Sequence, residues 1–270
     1  MEKFFWCLDK IWNYIFVNIR ILIYGLFHPR KILELSFSVY STINEFYKVS
    51  HGQLLHFEDS EFFKKISKEF IFAKCNVFNR DANVTRSAES QVLAALVQAF
   101  DPQSIFEFGT YNGFTTLHLA ENSMEDAIVY TLDLPKDFDL SKASQRFSYS
   151  YDDKQVVRLS MNHIEDRLYK GQSQERKIKE LFGDSYFFDF TAYHGKIDLI
   201  FIDGNHSYQF VKSDTENALK MLSPKGVIVW HDYDYIVHKD VFKYLNELSK
   251  ELPIYSIPHT RFAIYGKHLK

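Results

Sequence analysis

Beyond residue 103 the chain alternates short apolar runs with longer stretches of helical spacing, and few folds satisfy that pattern. SIFEFG (104–109), AIVYTLDLP (127–135), DLIFIDG (198–204) and GVIVWHDY (226–233) read as strands. FTTLHLAENS (114–123), QFVKSDTENALKML (209–222) and VFKYLNELSKEL (241–252) read as helices. IKELFGDS (178–185) follows a long polar stretch, and IYSIP (254–258) and RFAIYG (261–266) are two short closing strands. Strands separated by helices pair in parallel through right-handed crossovers, which covers both faces of the sheet. The expectation is an α/β chain built on a doubly wound, mostly parallel, seven-stranded sheet. Its ligand should lie at the carboxyl ends of the strands, near the point where strand order reverses.

Residues 1–84 lack this alternation and read as a helical N-terminal extension to a domain over 85–270. Residues 4–27 are strongly apolar, and at helical spacing Glu2, Lys3, Asp9, Lys10, Asn13 and Arg20 share one narrow face, with nearly everything else apolar. Its longest uncharged run, 11–19, falls short of a bilayer span, which takes roughly 20 apolar residues. So wide an apolar face must be covered by the protein's own core, by a second copy in a homodimer, or by peripheral contact with a membrane surface. Ser87 to Phe100 is the cleanest helix, with a serine cap and a stop at Asp101-Pro102. At 46% hydrophobic and 25% charged residues, the chain is not a disordered one. A net charge of −3 without a long basic run argues against a nucleic-acid partner. The two cysteines, Cys7 and Cys75, form no CxxC pair, so neither a zinc knuckle nor a disulfide framework is written here. They fit a reducing, cytoplasmic setting.

The first strand runs into Glu107-Phe108-Gly109-Thr110-Tyr111-Asn112-Gly113, an E-x-G-x-x-x-G turn rather than G-x-G-x-x-G. Glycines there let the backbone approach a ligand closely. A carboxylate at Glu107 would repel a pyrophosphate and suit a ligand with a cationic head. S-adenosylmethionine, with its ammonium, sulfonium and adenosine, is such a ligand. Asp133 ends the second strand, where a carboxylate can accept both ribose hydroxyls.

These segments carry a resemblance. IFEFGTYNGFTTLHLA resembles motif I of class I S-adenosylmethionine-dependent methyltransferases, and TLDLP resembles their second-strand acidic motif. LFGDS resembles the segment whose acid, here Asp184, approaches the adenine. KIDLIFIDGNHSYQFVKSDTENALKMLSPKGVIVWHDY is similar to a bacterial group with an IDG-x-H-S-Y signature and a W-H-D strand end. The resemblance covers residues 85 to 266 and implies a Rossmann-like methyltransferase domain. Its cofactor would be held by Glu107, Gly109, Thr110, Tyr111, Gly113, Asp133, Asp184 and Asp203.

Asp203, His206, His231 and Asp232 end neighbouring strands and should meet at one rim. Methylation of an oxygen needs its proton removed, by a histidine tuned near neutrality or by a divalent metal. His206 or His231, with Asp203, is the expected catalytic group. Metal-dependent members of the resembled class implicate Asp203, His231 and Asp232 as ligands for Mg²⁺ or another divalent ion, although a histidine suits Mg²⁺ poorly. Trp230 and Tyr208 read as core or as acceptor wall. Asp214 and Glu216 read as solvated charges on a helix. The expected acceptor is a hydroxyl of a small molecule or glycan intermediate. A non-catalytic binding or scaffold protein of the same fold, and a nicotinamide-dependent oxidoreductase, are the alternatives.

Overall fold

A computed structural model of the 270-residue chain describes residues 48, 52–66, 87–147, 149 and 151–269. The apolar helix expected over 4–27, with its dimer or membrane role, lies outside them. The chain divides into compact units between Gly52 and Gln53, and the second unit carries the sheet.

Eight strands form that sheet: β1 (Leu55–His56), β2 (Ser104–Phe108), β3 (Ile128–Asp133), β4 (Ile178–Phe182), β5 (Ile197–Ile202), β6 (Leu222–Trp230), β7 (Tyr255–Ser256) and β8 (Ala263–Gly266). Their order is β1-β7-β8-β6-β5-β2-β3-β4. All neighbours are parallel except β8, which is antiparallel to both β6 and β7. The seven expected strands are present. The eighth, β1, pairs Leu55 with Tyr255 and sits well before residue 85, so the sheet unit starts earlier than the expected boundary. Two residues are too few to show a period, which is why this strand is silent in the sequence.

The chain winds from β2 through β3 to β4 on one side, then returns to β5 and β6 on the other. The reversal lies between β2 and β5, and a cavity opens at their carboxyl ends. Residues of β5 are buried throughout, and successive side chains enter opposite faces. Leu199 and Phe201 join a core with Ile105, Val129 and Val227. Ile200 and Ile202 join another with Phe106, Phe108 and Ile228. Apolar side chains on both faces are what a helix-covered parallel strand requires.

The helices are α1 (Glu61–Ile66), α2 (Ser87–Phe100), α3 (Phe114–Asn122), α4 (Leu140–Arg146), α5 (Tyr151–His163), α6 (Tyr208–Met221) and α7 (Lys239–Leu248). Two of them, α4 and α5, fill the polar stretch where no pattern was legible. On α5 the residues at helical spacing, Asp153, Val156, Val157 and Ser160, line the cavity rather than the core. Among the described residues, no helix is long and apolar enough to cross a membrane.

Ser60 starts α1: its Oγ accepts from the Phe63 N–H at 3.0 Å and donates to the Phe57 carbonyl at 2.7 Å. A lost cap of this kind costs about 1 kcal/mol. Ser60→Ala is therefore expected to lower the unfolding free energy by about that amount in a urea titration without changing the slope.

Candidate active site

The turn after β2 is shaped by close packing. Gly109 has φ +90°, and a Cβ there would stand 2.2 Å from the Asp203 carbonyl oxygen. Gly113 has φ +78°, and a Cβ there would meet the Tyr169 ring at 2.6 Å. Both glycines were expected to make room for a ligand; the Asp203 backbone just past β5 and the Tyr169 ring take that room instead. Gly109, Thr110 and Tyr111 still line the cavity, whereas Gly113 does not.

Glu107 lies beneath the turn, completely buried and away from the cavity. Its Oε2 accepts from the Thr116 and Thr131 hydroxyls at 2.5 and 2.6 Å, while Oε1 has no hydrogen-bond partner. Burial lifts its carboxyl to about 8, so it holds a proton at neutral pH. The expected anionic contact to a cationic head is thus not made by Glu107. Asp203, partly exposed, is the carboxylate that reaches the cavity from the neighbouring strand.

Asp133 does reach the cavity. Its Oδ2 accepts from the Tyr111 N–H at 3.0 Å, the Ser160 hydroxyl at 2.5 Å and the Arg167 Nη2 at 2.8 Å. Its Oδ1 accepts from the Leu134 N–H at 2.8 Å. That leaves Oδ1 as the oxygen with acceptor capacity for a ribose hydroxyl, rather than both oxygens as expected. Arg167, fully buried, also binds Glu180 at 2.8 Å and fixes the carboxylate from behind. Asp184 and the apolar Leu134, Val156, Val157 and Phe210 line the same cavity. The cavity measures about 770 Å³, within the range of small-ligand sites.

The other end of the cavity holds the expected rim residues together with several more. His206 places Nδ1 2.8 Å from Asp153 and Nε2 2.8 Å from Asp232. Carboxylates only accept, so both ring nitrogens donate and the ring is an imidazolium. Burial opposes that charge, but Asp153 and Asp232 outweigh it and push the value to about 10. His231 places Nδ1 3.0 Å from Asp203 and Nε2 3.3 Å from Glu89. Burial again opposes the charge, and Asp203 and Asp232 carry the imidazole well above its ordinary value. Neither ring is a base near neutrality, which corrects the expectation for both. The ring driven the other way is His238, where burial lowers the value against the pull of Asp232. It lies 4.2 Å from His206, centroid to centroid, with Nε2 3.3 Å from Asp232, and it lines the cavity. Asp234, buried, accepts from the Ile236 and Val237 N–H groups at 2.7 and 3.0 Å and so pins the loop that carries His238.

Asp232 adopts φ 58°, a left-handed conformation costly for a residue with a side chain and typical of functional sites. Glu89 and Arg261, which no local pattern marks, complete the rim through His231 and Asp232. Trp230 is core, donating from Nε1 to Thr215 at 2.9 Å, and Tyr208 bonds Glu247 outside the cavity. Glu216 is exposed as expected, but Asp214 is fully buried, and burial pushes its carboxyl to about 7.

A doubly wound sheet with this cavity across its switch point defines an α/β domain whose ligand site lies at the carboxyl ends of its strands. Residues 106–233 match a family described as a methyltransferase domain. A protein from Staphylococcus aureus, assigned as a caffeoyl-CoA O-methyltransferase, superposes with TM-score 0.50 at 16% identity, covering 82% of this chain and 97% of that one. The SAH-bound methyltransferase PaMTH1 of Podospora anserina gives 0.48 at 16% identity, over 76% of this chain and 84% of that one. An uncharacterized protein y4gI from Sinorhizobium fredii (strain NBRC 101917 / NGR234) is 34% identical over 77 residues, 27% of this chain and 8% of that protein. The chain therefore matches far less than two thirds of that relative's length. The superposition on the Staphylococcus protein establishes the Rossmann-like fold.

Proposed function

We propose that this protein is an S-adenosylmethionine-dependent methyltransferase acting on an oxygen of a small-molecule or glycan-intermediate acceptor. The observation that carries the reading is one continuous cavity. It joins a nucleoside end, with Asp133, Asp184 and the turn at Gly109–Tyr111, to a rim rich in proton-handling groups. The cofactor supplies an electrophilic methyl on a sulfonium. Asp133 orients a ribose hydroxyl, Asp184 faces the purine, and Asp203 meets the cationic end. His238, which lines the cavity with Nε2 3.3 Å from Asp232 Oδ1 and whose burial favours the neutral ring, is the group that would take the acceptor's hydroxyl proton. With the cofactor bound, His238 would take the hydroxyl proton and leave the acceptor oxygen free to receive the methyl.

Calorimetric titration with S-adenosylhomocysteine, in parallel with NAD⁺, tests the cofactor. Wild type is expected to bind only the former. Asp133→Asn, which keeps the shape and loses the charge, is expected to bind it about tenfold more weakly, as for a lost hydrogen bond to a charged group. Folded wild-type protein that binds no S-adenosylhomocysteine overturns the proposal and favours a scaffold role.

A further inference from the structure

The resemblance implies a divalent ion on Asp203, His231 and Asp232, and ligand atoms of these three do lie within 4.8 Å of one another. The surroundings do not fit one. Arg261 Nη1 donates to Asp232 Oδ1 at 2.6 Å, and its Nη2 lies 3.2 Å from His231 Nε2. Glu89 holds the guanidinium in place: its Oε1 accepts from the Arg261 backbone N–H at 2.8 Å and from Nε at 3.1 Å, and its Oε2 from Nη2 at 3.0 Å. The other Asp232 oxygen is taken by His206, and the His231 Nδ1 by Asp203. A dication on these ligands would face a fixed guanidinium that already contacts two of the three residues. One of the three donors is also an imidazole, which a hard ion disfavours.

We infer that Arg261, clamped by Glu89, takes the place of the divalent cation, so that this site sets its fixed positive charge against the acceptor oxygen without a metal. The inference rests on the methyltransferase reading for the identity of that oxygen. Arg261 lines the cavity; one Nη1 N–H goes to Asp232 and one N–H each from Nε and Nη2 to Glu89, and because the protonated His231 accepts none, one N–H on Nη1 and one on Nη2 are left. Such a donor can hold an oxygen as it loses its proton, a role a planar, permanently charged group fills without an ion. Asp232 then serves as the counter-charge shared by Arg261 and His206, not as a ligand.

The test is Mn²⁺ titration of metal-stripped, full-length protein, with and without S-adenosylhomocysteine, read by electron paramagnetic resonance. Wild type and Arg261→Lys are expected to bind no Mn²⁺ tighter than about 1 mM, the weak end of protein sites. Arg261→Met, if its circular dichroism shows it folded, is expected to gain binding at least tenfold, because Asp203 and Asp232 then lack their cation. Wild-type binding below that limit overturns the inference, as does a folded Arg261→Met that gains none. Should Arg261→Met fail to fold, the wild-type and Arg261→Lys titrations decide. Loss of S-adenosylhomocysteine binding would count against the methyltransferase reading alone, since the Mn²⁺ signal does not depend on it.

Discussion

His238→Gln is expected to lower kcat by about 10²–10⁴-fold while leaving S-adenosylhomocysteine affinity unchanged. Glutamine keeps a polar side chain of similar reach but cannot take up a proton. The pH profile sharpens the expectation. Burial depresses the His238 value below the ordinary imidazole value of 6.5, and only the neutral ring can act as a base. Wild-type turnover should therefore be full above pH 6.5 and fall as pH drops through the depressed value. The variant should lose that acid limb. His206 provides the internal contrast, since its value near 10 keeps it charged across the same window. Methyl transfer from labelled S-adenosylmethionine, followed between pH 5 and 8, checks both points. Turnover of His238→Gln equal to wild type would sink the base assignment.

Gly109→Val is the substitution expected to damage the fold and the cofactor end together. An added Cβ would stand 2.2 Å from a backbone oxygen and 2.9 Å from its carbon, and neither can swing aside as a side chain would. The residue would also be forced to φ +90°. Overpacking and left-handed strain together come to roughly 2–5 kcal/mol, a large share of an ordinary domain's stability. Relief would require β2 and β5 to separate just where Asp203 and the turn meet the ligand. Urea denaturation should show the loss of stability, and calorimetry a loss of S-adenosylhomocysteine binding. Gly195→Ala is the control: it has φ +69° but open space around its Cβ, so it should cost only about 1 kcal/mol and spare binding. A Gly109→Val protein as stable as that control would refute the packing argument.

The central strands and the rim at Asp203, His206, His231 and Asp232 were legible because a parallel strand buried on both faces writes an unbroken apolar run. Its carboxyl end is then easy to place. Asp133 was placed at a strand end for the same reason, whereas Asp184 entered only through the resemblance of LFGDS. What escaped was information carried by distant contacts. Glu89 looks like any acid in a helix's first turn, where it complements the dipole. Arg261 looks like a lone charge ahead of a strand. His238 was visible but without a partner until the chain folded back. Helix α5 was hidden because its helical stripe serves a cavity, so Asp153 and Ser160 replace the apolar residues a core would demand. Glu107 was misplaced by one layer: its strand position was right, but Thr116 and Thr131 draw it under the turn.

The clasp between Glu89 and Arg261 joins residues 172 positions apart. Closing so long a loop is paid in chain entropy, and contacts of that separation form late in folding. The strands β2 to β6 lie between these two residues in sequence and can pair before either arrives. The reactive rim would then close only after those strands have paired.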